Sequence, residues 1–224
     1  MRYAAFSAIL SAFAISPTLA QIPPGQKVGL AIYLKAAYGG LKSNLIAAAE
    51  KMPEDDYDFK PSAMADVRTY GQLFAHVAAG QFGACAAMKG VVDPIQGRNP
   101  EQELTSKAEF VTLLNESFAF CADAVTALTD QNAMDLVRQG QGEVARSAVL
   151  AGLLAHNSEM YGISTVYLRA KNLVPPSTER QMRRGRSGAT TPRPPSPRWH
   201  PAARQPAPPA HRPCRPEGIS ADSA

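Results

Sequence analysis

The run Thr69-Tyr70-Gly71-Gln72-Leu73-Phe74-Ala75-His76-Val77-Ala78-Ala79-Gly80-Gln81-Phe82-Gly83-Ala84-Cys85-Ala86-Ala87-Met88-Lys89-Gly90 decides the fold class. It opens with Thr69 and Gln72 three positions apart, the form of a capping box that starts a helix. Leu73, Phe74, Val77, Ala84 and Met88 then fall on one helical stripe. Three further segments read the same way. The first, about Val28 to Met52, carries Leu34, Tyr38, Leu41, Leu45, Ala48 and Met52 and is stopped by Pro53. Another opens at Ser106-Lys107-Ala108-Glu109, a second capping box, with Phe110, Leu113, Leu114, Cys121, Ala124 and Leu128 on its stripe. Ser117 interrupts that stripe, and a buried serine there is expected to return its hydroxyl to the carbonyl four residues back. The last runs from about Glu143 to Asn172, with Val149, Leu150, Leu153, Met160 and Tyr167, and Val174-Pro175-Pro176 ends it. No segment alternates with period two over strand length, so no sheet is expected. The reading is an all-α four-helix bundle.

The cysteines suggest the order of those helices. Cys85 lies 16 residues past Thr69 and Cys121 lies 15 past Ser106. Parallel second and third helices would bring the two to one level, whereas antiparallel helices would separate them. The connection from Val91 to Thr105 is long enough, at about 3.3 Å per residue, to return along a helix of some 30 Å. A Cys85–Cys121 disulfide and an up-down-down-up order therefore support each other. The alternative is two buried free thiols behaving as small apolar residues.

The ends differ from the middle. Residues 1–20 read as a signal peptide: Arg2 is followed by the apolar run Ala4 to Ile15, and Thr18-Leu19-Ala20 places small residues before Gln21. Residues 21–179 form the bundle, expected to be secreted or periplasmic. No later stretch reaches the roughly 18 uninterrupted apolar residues of a membrane span. Residues 180–224 hold nine Arg against Glu217 and Asp222, so of the net charge of +4 this segment supplies +7 and the remainder is −3. A nucleic-acid-binding role for the folded region is therefore excluded as an expectation. Ten of the 19 prolines lie between Pro192 and Pro216. Such a segment reads as a disordered tail with no assigned role. Contact with anionic lipid or nucleic acid, and a shifted reading frame after Thr178, are the other readings.

Chemistry is sparse. The folded region has two histidines, His76 and His156. His76 sits at the edge of its stripe beside Gly80 and Gly83, where missing side chains leave room for a cleft. His156 is followed by Glu159 and, one helical turn on, by Met160, and residues at i and i+4 share a face. Met160 is a thioether that suits copper(I) better than zinc or nickel, and by residue type alone it reads as core. There is no glycine-rich phosphate loop, no G-x-S-x-G and no paired-cysteine zinc spacing.

Several blocks resemble a known family. Met52-Pro53-Glu54-Asp55-Asp56-Tyr57-Asp58-Phe59-Lys60-Pro61, Val67-Arg68-Thr69-Tyr70-Gly71-Gln72-Leu73 and His76-Val77-Ala78 are similar to the DinB-like superfamily in its exported branch. So are His156-Asn157-Ser158-Glu159-Met160-Tyr161-Gly162, Val166-Tyr167-Leu168-Arg169 and Val174-Pro175-Pro176-Ser177. The resemblance covers about residues 27–179. It implies an up-down-down-up four-helix bundle and a divalent metal, zinc or nickel, held by three histidines. His76 and His156 match two of them, and Met160 stands at the third, so the site is read as degenerate, weakly binding, with Glu159 a further candidate ligand. The expectation is an exported, non-catalytic bundle with a small-molecule ligand or a second copy as partner. The alternative is a metal-dependent thiol transferase or hydrolase acting on small molecules.

Overall fold

The computed structural model describes Gly25 and residues 27–187. The expected signal peptide, and the tail beyond Ser187, lie outside the described residues. Among the described residues there are six α-helices: α1 (Leu30–Lys51), α2 (Tyr70–Lys89), α3 (Pro100–Glu103), α4 (Lys107–Ala127), α5 (Arg146–Ala170) and α6 (Pro176–Ser187). A 3-10 turn, Glu54–Asp56, follows α1, and a hairpin of β1 (Leu136–Gln139) and β2 (Gly142–Ala145) precedes α5. The fold is all-α in its long elements, but it is not the simple four-helix bundle expected from the sequence.

Each departure has a local cause. α3 is a single turn inside the 91–105 connection and starts with Pro100, which is tolerated in a first helical turn because that N–H needs no partner. Pro175-Pro176 does end the preceding helix, yet Pro176 opens α6 by the same rule, so the segment expected to be tail from residue 180 is helical as far as Ser187. The hairpin pairs Val137 with Val144 across an antiparallel register and turns at Gly140, whose φ of +60° suits glycine. It takes the residues from Glu143 to Ala145 that the periodicity assigned to a helix. Strands of four residues are too short to display alternation, so the sequence pattern does not reveal them.

Both capping boxes form as read. Thr69 Oγ1 accepts from Gln72 N at 3.2 Å while Gln72 Oε1 accepts from Thr69 N at 2.9 Å, and Ser106 and Glu109 do likewise. α1 has no such box. Its start is capped from elsewhere, by Asp130 Oδ1 accepting from Ala31 N at 2.8 Å.

Contacts along the helices fix their directions. α2 and α4 run parallel: Gly71 meets the Phe110 ring near their starts, and Gln81 Nε2 donates to Ser117 Oγ at 3.0 Å midway. Near their ends Cys85 and Cys121 form a disulfide with Cα atoms 5.3 Å apart. α5 runs against α2, since Tyr167 Oη donates to Arg68 O while Arg146 Nη1 donates to Met88 O. The C-terminal ends of α1 and α5 lie together: Lys171, just past α5, pairs with Asp56 in the turn after α1, and Lys51 at the end of α1 pairs with Glu179 on α6.

The core is one large cluster with a smaller one, Ala78, Phe82, Ile95 and Leu113, beside it, and a polar thread runs through the helices. Tyr38 Oη donates to Gln81 Oε1 at 2.6 Å, and Ser117 Oγ donates to Leu114 O, three residues back rather than the expected four. With Gln81 bonded at both ends, these fully buried groups are satisfied and cost little. Burial pushes the Tyr38 phenol well above its usual range. Among the described residues no helix is long and apolar enough to cross a membrane.

Candidate functional site

The α2–α5 seam brings together the two histidines that the sequence singled out. Gly80, one turn after His76, leaves the gap: a Cβ there would meet His156 Cε1 at 3.4 Å. The two imidazole rings lie 4.9 Å apart, tilted by 56°. Both side chains are half-buried, so the pair stands at the edge of the core rather than inside it.

Two residues not expected from sequence complete the cluster. Arg68 precedes the α2 cap, and Glu101 lies on α3, delivered by the crossover. Glu101 Oε2 accepts from Arg68 Nε at 2.7 Å, and its Oε1 lies 2.7 Å from His76 Nδ1. Arg68 Nη2 is also 3.2 Å from His76 Nδ1. One nitrogen cannot donate to the carboxylate and accept from the guanidinium at once. The shorter, charge-assisted contact makes Nδ1 a donor to the Glu101 carboxylate. Burial by itself would raise the Glu101 carboxyl, but hydrogen bonds from Arg68 and His76 outweigh it and hold that carboxyl below its usual range. Gln72 Nε2 donates to Glu101 O at 3.0 Å, so the capping residue of α2 also anchors α3.

The other predicted residues part company with the histidines. Met160 is 7% exposed and packs in the core, while Glu159 faces solvent. Among the described residues no group of three His, Cys, Asp or Glu is placed to hold a metal ion. The expected zinc or nickel site is therefore corrected. Its third position is an apolar core residue, and the one carboxylate at His76 is already shared with a guanidinium. Cys85 and Cys121 are fully buried and joined to each other, away from this cluster.

Two hollows border the cluster, one at Arg68 and Glu101 and the other at His156. One, of about 260 Å³, is polar and lined by Asp66, Arg68, Gln72, Asn99, Glu101 and Gln102, among others. The other, of about 230 Å³, is lined mainly by small and aliphatic residues, with His156 and Gln139 as its polar members. Gln139 comes from β1, so the unpredicted hairpin supplies part of a wall.

Residues 40–159 match the family model of the DinB superfamily. The chain belongs to the DinB superfamily. The fold agrees: a DinB-like protein from Bacillus cereus ATCC 10987 superposes with a TM-score of 0.53 at 13% identity, over 64% of this chain and 93% of that one. A DinB-like protein from Bacillus subtilis gives 0.50 at 18% identity, over 62% and 92%. Identities this low carry the fold alone. No curated protein matches the chain. The DinB assignment holds at the level of the superfamily, and nothing in these matches marks an exported branch.

Proposed function

We propose that this DinB-superfamily chain is a non-catalytic binding protein that holds a small molecule in the cleft between α2 and α5. The observation that carries this reading is the cluster of two half-buried imidazoles 4.9 Å apart with Arg68 and Glu101, which borders a polar hollow at Arg68 and Glu101 and an apolar one at His156. Concave sites with an apolar wall and a few convergent polar groups are the usual form of ligand pockets. Against catalysis stands the lack of a partner nucleophile. Among the described residues no hydroxyl or thiol hydrogen-bonds to either imidazole, and the two core cysteines are consumed by their disulfide. The −3 charge carried by residues 1–179 favours a small molecule over nucleic acid. A nuclear magnetic resonance fragment screen tests the reading. Binders should shift His76, His156 and Glu101 resonances and be recovered unchanged after prolonged incubation. A screen with no perturbation at these residues overturns it.

The Glu101–His76 contact favours one second reading, an acid–base enzyme acting on a small molecule. In the neutral ring, a carboxylate that fixes Nδ1–H leaves Nε2 as a proton acceptor. Chemical conversion of a fragment, abolished by Glu101→Gln, would put this reading first.

We also propose export. The apolar run after Arg2 and the small residues before Gln21 support it, as does the disulfide, which suits an oxidising compartment. Mass spectrometry of secreted or periplasmic protein should give Gln21 as the first residue. Intact Met1 on cytoplasmic protein would remove the proposal.

A further inference from the structure

The first half of α6 is fastened to the body and the second half is not. Pro175 and Pro176 are buried, Ser177 N donates to Tyr161 Oη at 3.0 Å, and Glu179 pairs with Lys51. From Gln181 to Gly185 every residue is exposed, so the helix stands clear of the bundle there. A helical stretch with no packed face gains nothing from the core and is open to a partner.

The charge of this stretch has one sign. Arg180, Arg183 and Arg184 lie three and four positions apart and so share a face of the helix. Arg169, exposed at the end of α5, joins them, since its Nη2 donates to Thr178 Oγ1 at 3.4 Å. Glu179 is the one acidic residue in the α6 sequence, and Lys51 engages it. Among the described residues Arg169, Arg180 and Arg184 form no ion pair. Arginine stays charged at every working pH, and its planar fork matches a phosphate. None of these arginines lines either hollow of the cleft.

We propose that α6, with Arg169 beside it, docks the protein on an anionic phospholipid membrane. The negative surface of such a membrane attracts clustered Lys and Arg, and its field falls off within a Debye length. A projecting tip enters that layer while the body, which carries −3 over residues 1–179, stays outside it. A nucleic acid long enough to engage all four arginines would run against that negative body, and holding it takes phosphate contacts from several elements. Export, proposed above, also takes the chain to membranes and away from nucleic acid.

Co-sedimentation of the full chain with vesicles tests this, using phosphatidylcholine alone and phosphatidylcholine mixed equally with phosphatidylglycerol. The mixed vesicles should bind at least about tenfold more tightly, and the difference should shrink as salt is added. Arg180→Gln, Arg183→Gln and Arg184→Gln together should lower affinity for the mixed vesicles at least about tenfold. Glutamine is close to arginine in helix propensity, so the melting temperature of this variant should hold. Five further arginines follow Ser187 in the sequence and serve as the control. A second variant, with Arg193→Gln, Arg198→Gln, Arg204→Gln, Arg212→Gln and Arg215→Gln, should lose less affinity than the first. Equal binding of the two vesicle types, unchanged binding in the α6 variant, or a larger loss in the second variant overturns the assignment. So does tighter binding to a duplex oligonucleotide than to the mixed vesicles at equal salt.

Discussion

At the scale of single residues, Glu101 joins more of the site than either histidine. One carboxylate pairs with Arg68 and orients His76, while its backbone carbonyl is tied to Gln72. Its carboxyl is held below the usual value of 4.5, so its stabilising contribution is fully present above that pH and is lost as pH falls through the lowered folded value. Glu101→Gln should therefore flatten the dependence of unfolding free energy on pH below about 4.5, measured by urea denaturation across an acid series. An unchanged acid limb would mean that another carboxylate dominates. Gly71 offers a steric test. A Cβ there would come within 2.5 Å of the Phe110 ring, so that ring must move. Gly71→Ala should cost about 1–3 kcal/mol by overpacking, despite alanine's better helix propensity, and lower the denaturation midpoint. His76 and His156 were legible in the sequence because only two histidines occur in the folded part. Glu101 was not, because nothing local ties a carboxylate to an imidazole 25 residues earlier. Met160 was misleading: a one-turn spacing from His156 says that two residues lie near the same face, but at such a step one points to the cleft and the other to the core.

At the scale of elements, period and caps served well for long helices and failed for short pieces. Thr69, Gln72, Ser106 and Glu109 mark two helix starts, and the structure shows both boxes closed. The carboxyl of Glu109, receiving backbone N–H bonds from Ser106 and Thr105, is lowered to about 2. The single turn α3 and the four-residue strands carry too few residues for any period to emerge. α1 shows another limit, since its cap comes from Asp130, one hundred residues along the chain and invisible to any local rule. Asp130→Ala should cost about 1 kcal/mol, comparable to loss of a conventional N-cap, and Asp130→Asn should recover most of it. Thermal melts followed by circular dichroism would read both. A variant that melts like wild type would mean water replaces the carboxylate without loss.

For the whole molecule, the disulfide is the strongest single restraint. The two cysteines enclose 36 residues of sequence separation, for which loop-closure entropy gives about 4 kcal/mol. Reduction, or Cys85→Ala with Cys121→Ala, should lower the melting temperature by about 10 °C for a domain of this size. A shift of a degree or two would show that the reduced chain is already confined between these positions. The C-terminal boundary can be tested too. Ending the chain after Ser187 removes neither the Lys51–Glu179 ion pair nor the Tyr161–Ser177 hydrogen bonds, whereas ending it after Pro175 removes both. The second truncation should cost about 1–2 kcal/mol more than the first, by chemical denaturation.

The parallel pairing of α2 with α4 has a mechanical side. Because the bridge joins the far end of one helix to the far end of the other, everything between them, including α3 and its Glu101, sits inside a covalent ring. A molecule stretched from Lys27 to Ser187 would bear the load along α1, the first part of α2, the end of α4 and α5. The 35 residues between the two cysteines would feel no tension. Their withheld length, at about 3.4 Å per residue, comes to roughly 120 Å. In an optical trap that length should appear when a reductant is added, and the loop that carries Glu101 should then yield to force for the first time.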